Sequence, residues 1–214
     1  MFSAFDVEQL PAPTLPEIAF AGRSNVGKSS LLNALLGQRQ LARVSSTPGR
    51  TRSVNFFFVE GRFLFADLPG YGFAKVPTDV RGAWRGLIDG YLTDRPSLAG
   101  VMLLVDSRHP PHETDLMLAA WLHEKEIPFL VLATKVDKVS SSKREAHLGA
   151  LAEAFGVAGD DVLPVSSVTA EGMPELWRQI HQAVDGREAW LKAHDRWGVP
   201  SMKGPKAEIG RAHV

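Results

Sequence analysis

The sequence predicts an α/β fold in which a mostly parallel sheet of six strands, one of them antiparallel, carries helices on both faces. Two observations support this prediction. Continuous apolar runs at 100–106 and 128–134 are typical of strands that are covered on both faces. Such runs alternate along the chain with segments of helical periodicity, and this alternation favours a parallel sheet between two layers of helices.

The remaining strands are shorter. Residues 17–22 form an apolar run that ends in glycine, and residues 161–167 predict a weaker last strand. Residues 53–68 indicate two strands joined by a tight turn at Glu60-Gly61, which makes one of them antiparallel. The segments with helical periodicity are 30–38, 79–94, 112–125, 141–155 and 173–191.

Composition indicates one folded domain. The chain has 214 residues, of which 44% are hydrophobic and 22% charged, so it can bury a sizeable core. It has no cysteine, which excludes a disulfide framework, a cysteine nucleophile and thiolate zinc ligation. No secretory signal and no apolar run of about 18–20 residues is present. We therefore predict a soluble cytoplasmic protein with an N-terminal extension (1–16), one domain (17–191) and a basic tail (192–214) that is mobile in isolation.

Charge is distributed unevenly, although the formal net charge is +0. No Asp or Glu occurs from Ile18 to Val59. A positive field in this span would attract phosphate, either of a nucleotide or of RNA, and a solvated basic face is the alternative. The basic residues of the span are Arg23, Lys28, Arg39, Arg43, Arg50 and Arg52.

The motif GRSNVGKS, Gly22 to Ser29, predicts a phosphate site. It follows a strand and opens a helix, which is the setting of a P-loop. Its backbone N–H groups and the helix dipole would face the phosphates, Lys28 would reach the terminal phosphates, and Ser29 would bind Mg²⁺. The motif predicts a P-loop nucleotidase or kinase and does not distinguish ATP from GTP.

Two later segments would complete this site. Thr51, with Thr47 as its competitor, would complete the Mg²⁺ shell when the terminal phosphate is present. Asp67 ends a strand and is placed to hold Mg²⁺ directly or through water, while the N–H of Gly70 would approach the γ-phosphate. Tyr71 follows, where many such enzymes have a glutamine that orients the attacking water, and a tyrosine does that job poorly.

The segment TKVD, Thr134 to Asp137, indicates guanine. The two adjacent donors of guanine match the acceptor pair of the Asp137 carboxylate, whereas adenine would present an acceptor to it. The stem of Lys135 would pack along the purine ring. In the segment Ser166 to Val168, a backbone N–H would hold guanine O6.

These five segments occur in the order of the G1–G5 elements of translation-factor-type GTPases, and the chain resembles the EngB (YihA/YsxC) family of bacterial ribosome-biogenesis GTP-binding proteins. The resemblance covers about residues 5 to 190 and is carried by GRSNVGKSSLLNAL, LARVSSTPGRTRSVNFF, DLPGYGFAKVP, DSRHP and TKVDK. Thr134 stands where GTPases in general have an asparagine, a departure that the family shares.

The resemblance implies a three-layer P-loop GTPase fold, a role in maturation of the large ribosomal subunit, and an association with cell division and septation. It implies Mg²⁺ on Ser29 and Thr51, to which the position of Asp67 at the end of a strand adds a third expected ligand. Lys28, Thr51, Gly70 and Asn25 would take part in hydrolysis. The nucleotide contacts expected are Gly22, Arg23, Ser24, Asn25, Val26, Gly27, Lys28, Ser29, Ser30, Gly49, Arg50, Thr51, Arg52, Ser53, Asp67, Leu68, Pro69, Gly70, Thr134, Lys135, Val136, Asp137, Val165, Ser166 and Ser167.

Without a glutamine at Tyr71, we expect slow intrinsic hydrolysis that depends on external help. Asn25 resembles the asparagine that holds a monovalent cation in some related GTPases, so K⁺ is one candidate activator and the ribosome is the other. We expect a monomer whose partners are GTP or GDP and the large ribosomal subunit or its precursor. The alternatives are a GTP-gated RNA-binding module without catalysis and a P-loop kinase, for which no Arg-rich lid segment is apparent.

Overall fold

The computed structural model describes residues 1–37, 53–71, 78–93 and 95–195. Within them the chain forms seven strands and five α-helices. In order they are β1 (Phe2–Ala4), β2 (Glu17–Gly22), α1 (Lys28–Leu35), β3 (Val54–Val59), β4 (Phe63–Asp67), α2 (Thr78–Thr93), β5 (Leu98–Asp106), α3 (Glu113–Glu124), β6 (Phe129–Thr134), α4 (Ser141–Phe155), β7 (Val162–Val165) and α5 (Met173–Asp195).

The strands form one sheet in the order β1-β3-β4-β2-β5-β6-β7. The five strands from β4 to β7 in this order are parallel, and β3 is antiparallel to β4. The α/β prediction is therefore confirmed, but the sheet has one strand more than predicted. The extra strand is β1, which pairs antiparallel with β3 and places Phe2 opposite Phe56. A three-residue strand is too short for its alternation to be recognised in the sequence.

The hairpin between β3 and β4 has the predicted tight turn. Glu60 and Gly61 have φ angles of 52° and 70°, so both central residues are left-handed, and the N–H of Arg62 donates to the carbonyl of Val59 over 3.0 Å. Two left-handed residues give the turn a twist that matches the two strands. The hairpin returns the chain so that Asp67 ends β4 beside the end of β2.

Two apolar layers cover the faces of the sheet. One packs α2, α3 and α4 on the sheet through side chains such as Leu92, Leu122 and Leu151. The other packs α1 and α5 on the opposite face through side chains such as Leu32 and Ile180. Strands β5 and β6 are buried along their lengths except at Asp106, as expected of strands covered on both faces.

Helix α5 differs from the prediction at its end. It continues to Asp195, whereas periodicity predicted an end at 191. Lys192 forms an ion pair with Glu188 one turn earlier, over 2.6 Å, and this contact between residues four apart supports the added turn. The rest of the predicted tail, 196–214, lies outside the described residues. In the part of the chain that the structure describes, no helix is both long and apolar enough to cross a membrane.

A buried polar cluster fixes the start of β2. The carboxylate of Glu17, which is 0% exposed, accepts hydrogen bonds from Arg95 (2.6 Å), from the Tyr91 hydroxyl (2.9 Å) and from the Ser97 hydroxyl (2.9 Å). These partners belong to α2 and to the segment before β5. The cluster therefore ties three parts of the fold together at the edge of the sheet opposite the carboxyl ends of the parallel strands.

Candidate nucleotide-binding site

The predicted phosphate loop connects β2 to α1 at the carboxyl edge of the sheet. Asn25 and Gly27 both have positive φ angles, 65° and 111°, and α1 begins directly after Gly27. At Gly27 the angle lies in a region that residues with side chains avoid, so the glycine of the motif is required by the backbone. The loop thus leads into a helix N-terminus, where free N–H groups favour an anion.

Lys28 and Asp67, predicted to hold phosphate and Mg²⁺, lie together. The Lys28 ammonium forms an ion pair with Asp67 Oδ1, and the two side chains are 10% and 9% exposed. Ser29 follows in the first turn of α1. Hydroxyl and carboxylate oxygens are the ligands that Mg²⁺ prefers. In the described residues no group of three or more His, Asp or Glu side chains is arranged to hold a metal.

Gly70 packs directly against the phosphate loop. A Cβ atom at this position would lie 2.7 Å from Ser24 Oγ and 3.3 Å from the Ser24 backbone nitrogen, so a larger residue would require the Ser24 hydroxyl to move and would crowd the loop. The N–H of Ser24 donates to the carbonyl of Tyr71 over 3.3 Å, and Arg23 and Tyr71 form a parallel bridge. The segment that follows β4 is therefore tied to the phosphate loop by an isolated bridge and one backbone hydrogen bond.

Tyr71 points its hydroxyl at α3 and not at a free position in the site. The hydroxyl donates to Asp115 Oδ1 over 2.9 Å, and Asp115 Oδ2 accepts from the backbone N–H of His112 over 3.1 Å. Burial and the neighbouring Asp115 raise the pKa of Tyr71 well above its usual value, which keeps the phenol a neutral donor. Burial also raises the pKa of Asp115, although its hydrogen bonds oppose the shift.

The segment around His112 caps a helix. The His112 ring accepts from the N–H of Thr114, and Asp115 completes a capping box at the start of α3, with Glu113 in the first turn. His112, Glu113 and Asp115 therefore form the start of a helix.

The TKVD segment forms one side of a cavity of about 190 Å³. Thr134 Oγ1 lies 2.7 Å from the carbonyl oxygen of Val26 and 3.0 Å from that of Val105, which joins β6 to the phosphate loop. Lys135 Nζ donates to the carbonyl of Asn25 over 2.7 Å and pairs with Asp106 over 2.9 Å. The residues lining the cavity are Gly27, Ser30, Leu31, Thr134, Lys135, Asp137, Lys138, Val165, Ser167 and Val168.

Asp137 is held as an ionised acceptor. The Ser166 hydroxyl donates to its Oδ1 over 2.8 Å, and this bond lowers the pKa of Asp137 below its usual value. The backbone N–H of Ser166 donates to the carbonyl of Glu171 over 3.0 Å, so it is already used. Of the segment that we predicted to hold guanine O6, Ser167 lines the cavity and its N–H makes no hydrogen bond among the described residues.

Several expected contact residues have side chains in the core. Val26, Leu68, Val136 and Val165 are at most 5% exposed and pack in the apolar layers, and of these four Val165 also lines the cavity. Ser53 comes directly before β3, and its hydroxyl donates to Asn55 Oδ1 over 3.2 Å. Gly49, Arg50, Thr51 and Arg52, together with Thr47, lie outside the described residues.

The structure brings the other predicted segments together, because β2, β4, β6 and β7 end at the same edge of the sheet. Their contacts to a nucleotide stay predictions. Sequence reasoning missed three side chains that support the site from outside: Asp106, Asp115 and Arg144. Asp106 begins the segment DSRHP, and the family resemblance of that segment was the only indication that Asp106 is important. No spacing in the chain predicts the contacts of Asp115 with Tyr71 and of Arg144 with Glu171, because these contacts join residues that are far apart in the sequence.

Comparison with known proteins agrees with this geometry. A family model described as "50S ribosome-binding GTPase" matches residues 17–135. A probable GTP-binding protein EngB of Halothermothrix orenii is 46% identical over 187 residues, which cover 86% of this chain and 94% of that protein. Another, of Pelotomaculum thermopropionicum, is 50% identical over 179 residues, which cover 83% of this chain and 90% of that protein.

A solved structure extends the likeness to the fold. The crystal structure of a probable GTP-binding protein EngB superimposes with a TM-score of 0.66 at 26% identity, covering 79% of this chain and 98% of that chain. The family model matches more than half of the chain, and the relatives match most of it at well above 30% identity. With a P-loop, a buried Lys28–Asp67 pair and a cavity faced by Asp137, the chain belongs to the EngB family of GTP-binding proteins.

Proposed function

We propose that this protein is a GTP-dependent switch in assembly of the large ribosomal subunit, with slow GTP hydrolysis that another component accelerates. The observation that carries the guanine part is Asp137, an ionised carboxylate on the wall of the cavity beside the phosphate loop. The ribosomal part is supported by the description of the matching family model, which names a 50S ribosome-binding GTPase.

The phosphate end of the site fits Mg²⁺ and GTP. Lys28 would bind the terminal phosphates, and Ser29 and Asp67 would hold Mg²⁺, with Thr51 as a further ligand in the GTP-bound state. The metal would supply charge neutralisation at the phosphates. The N–H of Gly70 would bind a γ-phosphate oxygen, since Gly70 lies against Ser24 of the phosphate loop.

Slow intrinsic turnover follows from the position of Tyr71. Its hydroxyl is committed to Asp115, so it does not orient an attacking water. Asn25 is exposed on the phosphate loop, and its side chain makes no hydrogen bond among the described residues, which leaves its oxygen for a K⁺ ion beside the phosphates. A cation there would supply positive charge in the transition state, and a ribosomal particle is the alternative source of help.

Turnover measurements test this proposal. GTP hydrolysis by the isolated protein is measured in K⁺ and in Na⁺ at constant ionic strength, with and without large-subunit precursors. We expect a low basal rate that K⁺ raises, with the difference lost in Asn25→Ala, or a low rate that the precursors raise even in Na⁺. A fast rate that neither component changes, and that is lost in Tyr71→Ala, would contradict assisted hydrolysis.

Binding measurements test the partner. Protein loaded with a GTP analogue or with GDP is used to capture ribosomal subunits and precursors, and we expect the analogue-loaded protein, as a monomer, to retain large-subunit particles. Depletion should then impair subunit assembly together with cell division. If capture depends on the nucleotide but the particles never stimulate hydrolysis, a GTP-gated RNA-binding module without catalysis is the better description, and the occupied hydroxyl of Tyr71 favours that second candidate.

A further inference from the structure

The guanine cavity has two walls that come from different parts of the chain. One wall is the segment 134–138, whose end is the 3₁₀ turn Val136–Lys138 with Asp137 at its centre. The other wall is the end of β7, with Val165, and the loop that follows it, with Ser167 and Val168. Recognition of guanine by both walls at once requires that their separation be fixed, because hydrogen bonds weaken steeply with misplacement.

Arg144, on α4 behind the cavity, joins the two walls. Its Nη2 donates to the carbonyl of Val136 over 3.0 Å, and its Nη1 pairs with Glu171 over 2.5 Å. The same Val136 carbonyl also accepts from the N–H of Val139, so Arg144 adds a second hydrogen bond to a carbonyl of the turn that carries Asp137. Arg144 is not among the residues that line the cavity, so it acts on the site through others.

Glu171 connects Arg144 to the second wall. Its carbonyl accepts from the N–H of Ser166, whose hydroxyl donates to Asp137. The loop closes tightly behind Glu171, because Gly172 has a φ of +74° and a Cβ there would lie 2.0 Å from the carbonyl oxygen of Pro164. The chain of contacts from Val136 through Arg144, Glu171 and Ser166 therefore returns to Asp137 and forms a closed ring.

The guanidinium is well placed for this role. The side chains of Arg144 and Glu171 are 29% and 38% exposed, so the pair is partly shielded from water. Nε of Arg144 is buried and has no partner among the described residues. A planar group with several fixed donors reaches two acceptors at once, which a lysine ammonium on a flexible stem does less well.

We propose that Arg144 is a positioning residue that sets guanine specificity, by holding the Asp137 turn and the Ser166–Gly172 loop at a fixed separation. This inference rests on the proposed guanine site at Asp137. Arg144 touches no nucleotide atom in this arrangement. Its loss should loosen the contact of Asp137 with the 2-amino group of guanine together with the contact of the Ser167 N–H with O6.

The test compares GDP with inosine diphosphate, which lacks only the 2-amino group. Dissociation constants for both are measured for the parent, Arg144→Met and Arg144→Lys, with Lys143→Met as a matched control on the exposed side of the same helix. We expect Arg144→Met to weaken GDP binding about tenfold, as for one or two lost hydrogen bonds, and to lower the preference for GDP over inosine diphosphate at least about threefold. Arg144→Lys should fall between the parent and Arg144→Met, and Lys143→Met should match the parent.

The outcomes separate three explanations. If Arg144→Met weakens both nucleotides by the same factor while its unfolding midpoint falls, Arg144 is merely structural and the inference is wrong. If its binding is unchanged for both nucleotides, the inference is equally wrong. If the parent itself binds GDP and inosine diphosphate equally well, the assignment of the guanine site to Asp137 is wrong, and the proposed function is contradicted as well.

Discussion

Replacing Tyr71 by phenylalanine tests how the segment after β4 is fixed. The change removes only the hydroxyl that donates to Asp115 over 2.9 Å. Asp115 is 5% exposed, so Oδ1 would lose its partner without gaining full access to water. A buried acceptor left unsatisfied costs about 1–3 kcal/mol, and a hydrogen bond to a charged group lies in the upper part of that range. We expect the free energy of unfolding of the nucleotide-free protein to fall by about 2 kcal/mol at neutral pH.

The loss should depend on pH. Burial raises the folded-state pKa of Asp115 above its unfolded value, and the Tyr71 hydroxyl opposes that shift by stabilising the carboxylate. A raised carboxyl pKa means that the native state binds the proton more tightly, so stability decreases as pH rises from about 4 through the folded-state pKa. Without the hydroxyl the folded-state pKa rises further. The destabilisation by Tyr71→Phe should therefore be smallest near pH 4 and grow toward neutral pH.

Urea unfolding between pH 4 and 8 measures this effect, and Tyr91→Phe is the matched control. That change also removes a buried hydroxyl that donates to a carboxylate, here Glu17 over 2.9 Å, far from the site. Both variants should be destabilised. Only Tyr71→Phe should also weaken a GTP analogue relative to GDP, since Tyr71 follows Gly70 and its carbonyl accepts from Ser24. A pH-independent loss, or an analogue-to-GDP ratio that changes equally in both variants, would refute the reasoning.

Three further predictions concern the base, the metal and the core. Asp137→Asn replaces one acceptor by a donor, so it should weaken GTP binding by about 1.5–3 kcal/mol and make the protein prefer xanthosine nucleotides. Nucleotide titration measures both effects, and an unchanged affinity for GTP would contradict the assignment of the base site. Ser29→Ala should weaken Mg²⁺ binding with both GDP and a GTP analogue. Thr51→Ala should weaken binding only with the GTP analogue, and equal losses of affinity for GDP and the analogue in this variant would exclude a switch role for Thr51. Arg95→Met leaves the buried Glu17 without its cation and should cost about 3–5 kcal/mol of unfolding free energy, and a loss below about 1 kcal/mol would contradict the importance of that pair.

Periodicity and motif spacing predicted most of the fold because the strands of the parallel sheet are continuous apolar runs and the helices carry regular apolar stripes. Helices α3 and α4 lie within one residue of the predicted ranges. What could not be predicted depends on tertiary contact. Strand β1 exists because β3 offers it an edge to pair with, and its three residues carry no pattern of their own.

The candidate site shows the same division. The sequence predicted Lys28, Asp67 and Asp137 as site residues. Each belongs to a motif that follows a strand, and the motif has a defined role in binding phosphate, metal or base. It did not predict that the Ser166 N–H is already bonded to Glu171, or that Arg144 braces the turn. The Arg144 contacts connect α4 to two loops, and the spacing of residues in the sequence does not predict which helix residue contacts which carbonyl.

The Lys28–Asp67 pair places two opposite charges side by side at the proposed phosphate and metal site. Both side chains are about nine-tenths buried, and an isolated charge at such a position would be strongly disfavoured by desolvation. In the pair, each charge compensates the other. If phosphate and Mg²⁺ bind as one complex, as proposed above, Lys28 would exchange the carboxylate for phosphate while Asp67 would exchange the ammonium for the metal. Because each charge compensates the other, removing one partner should destabilise the protein more than removing both.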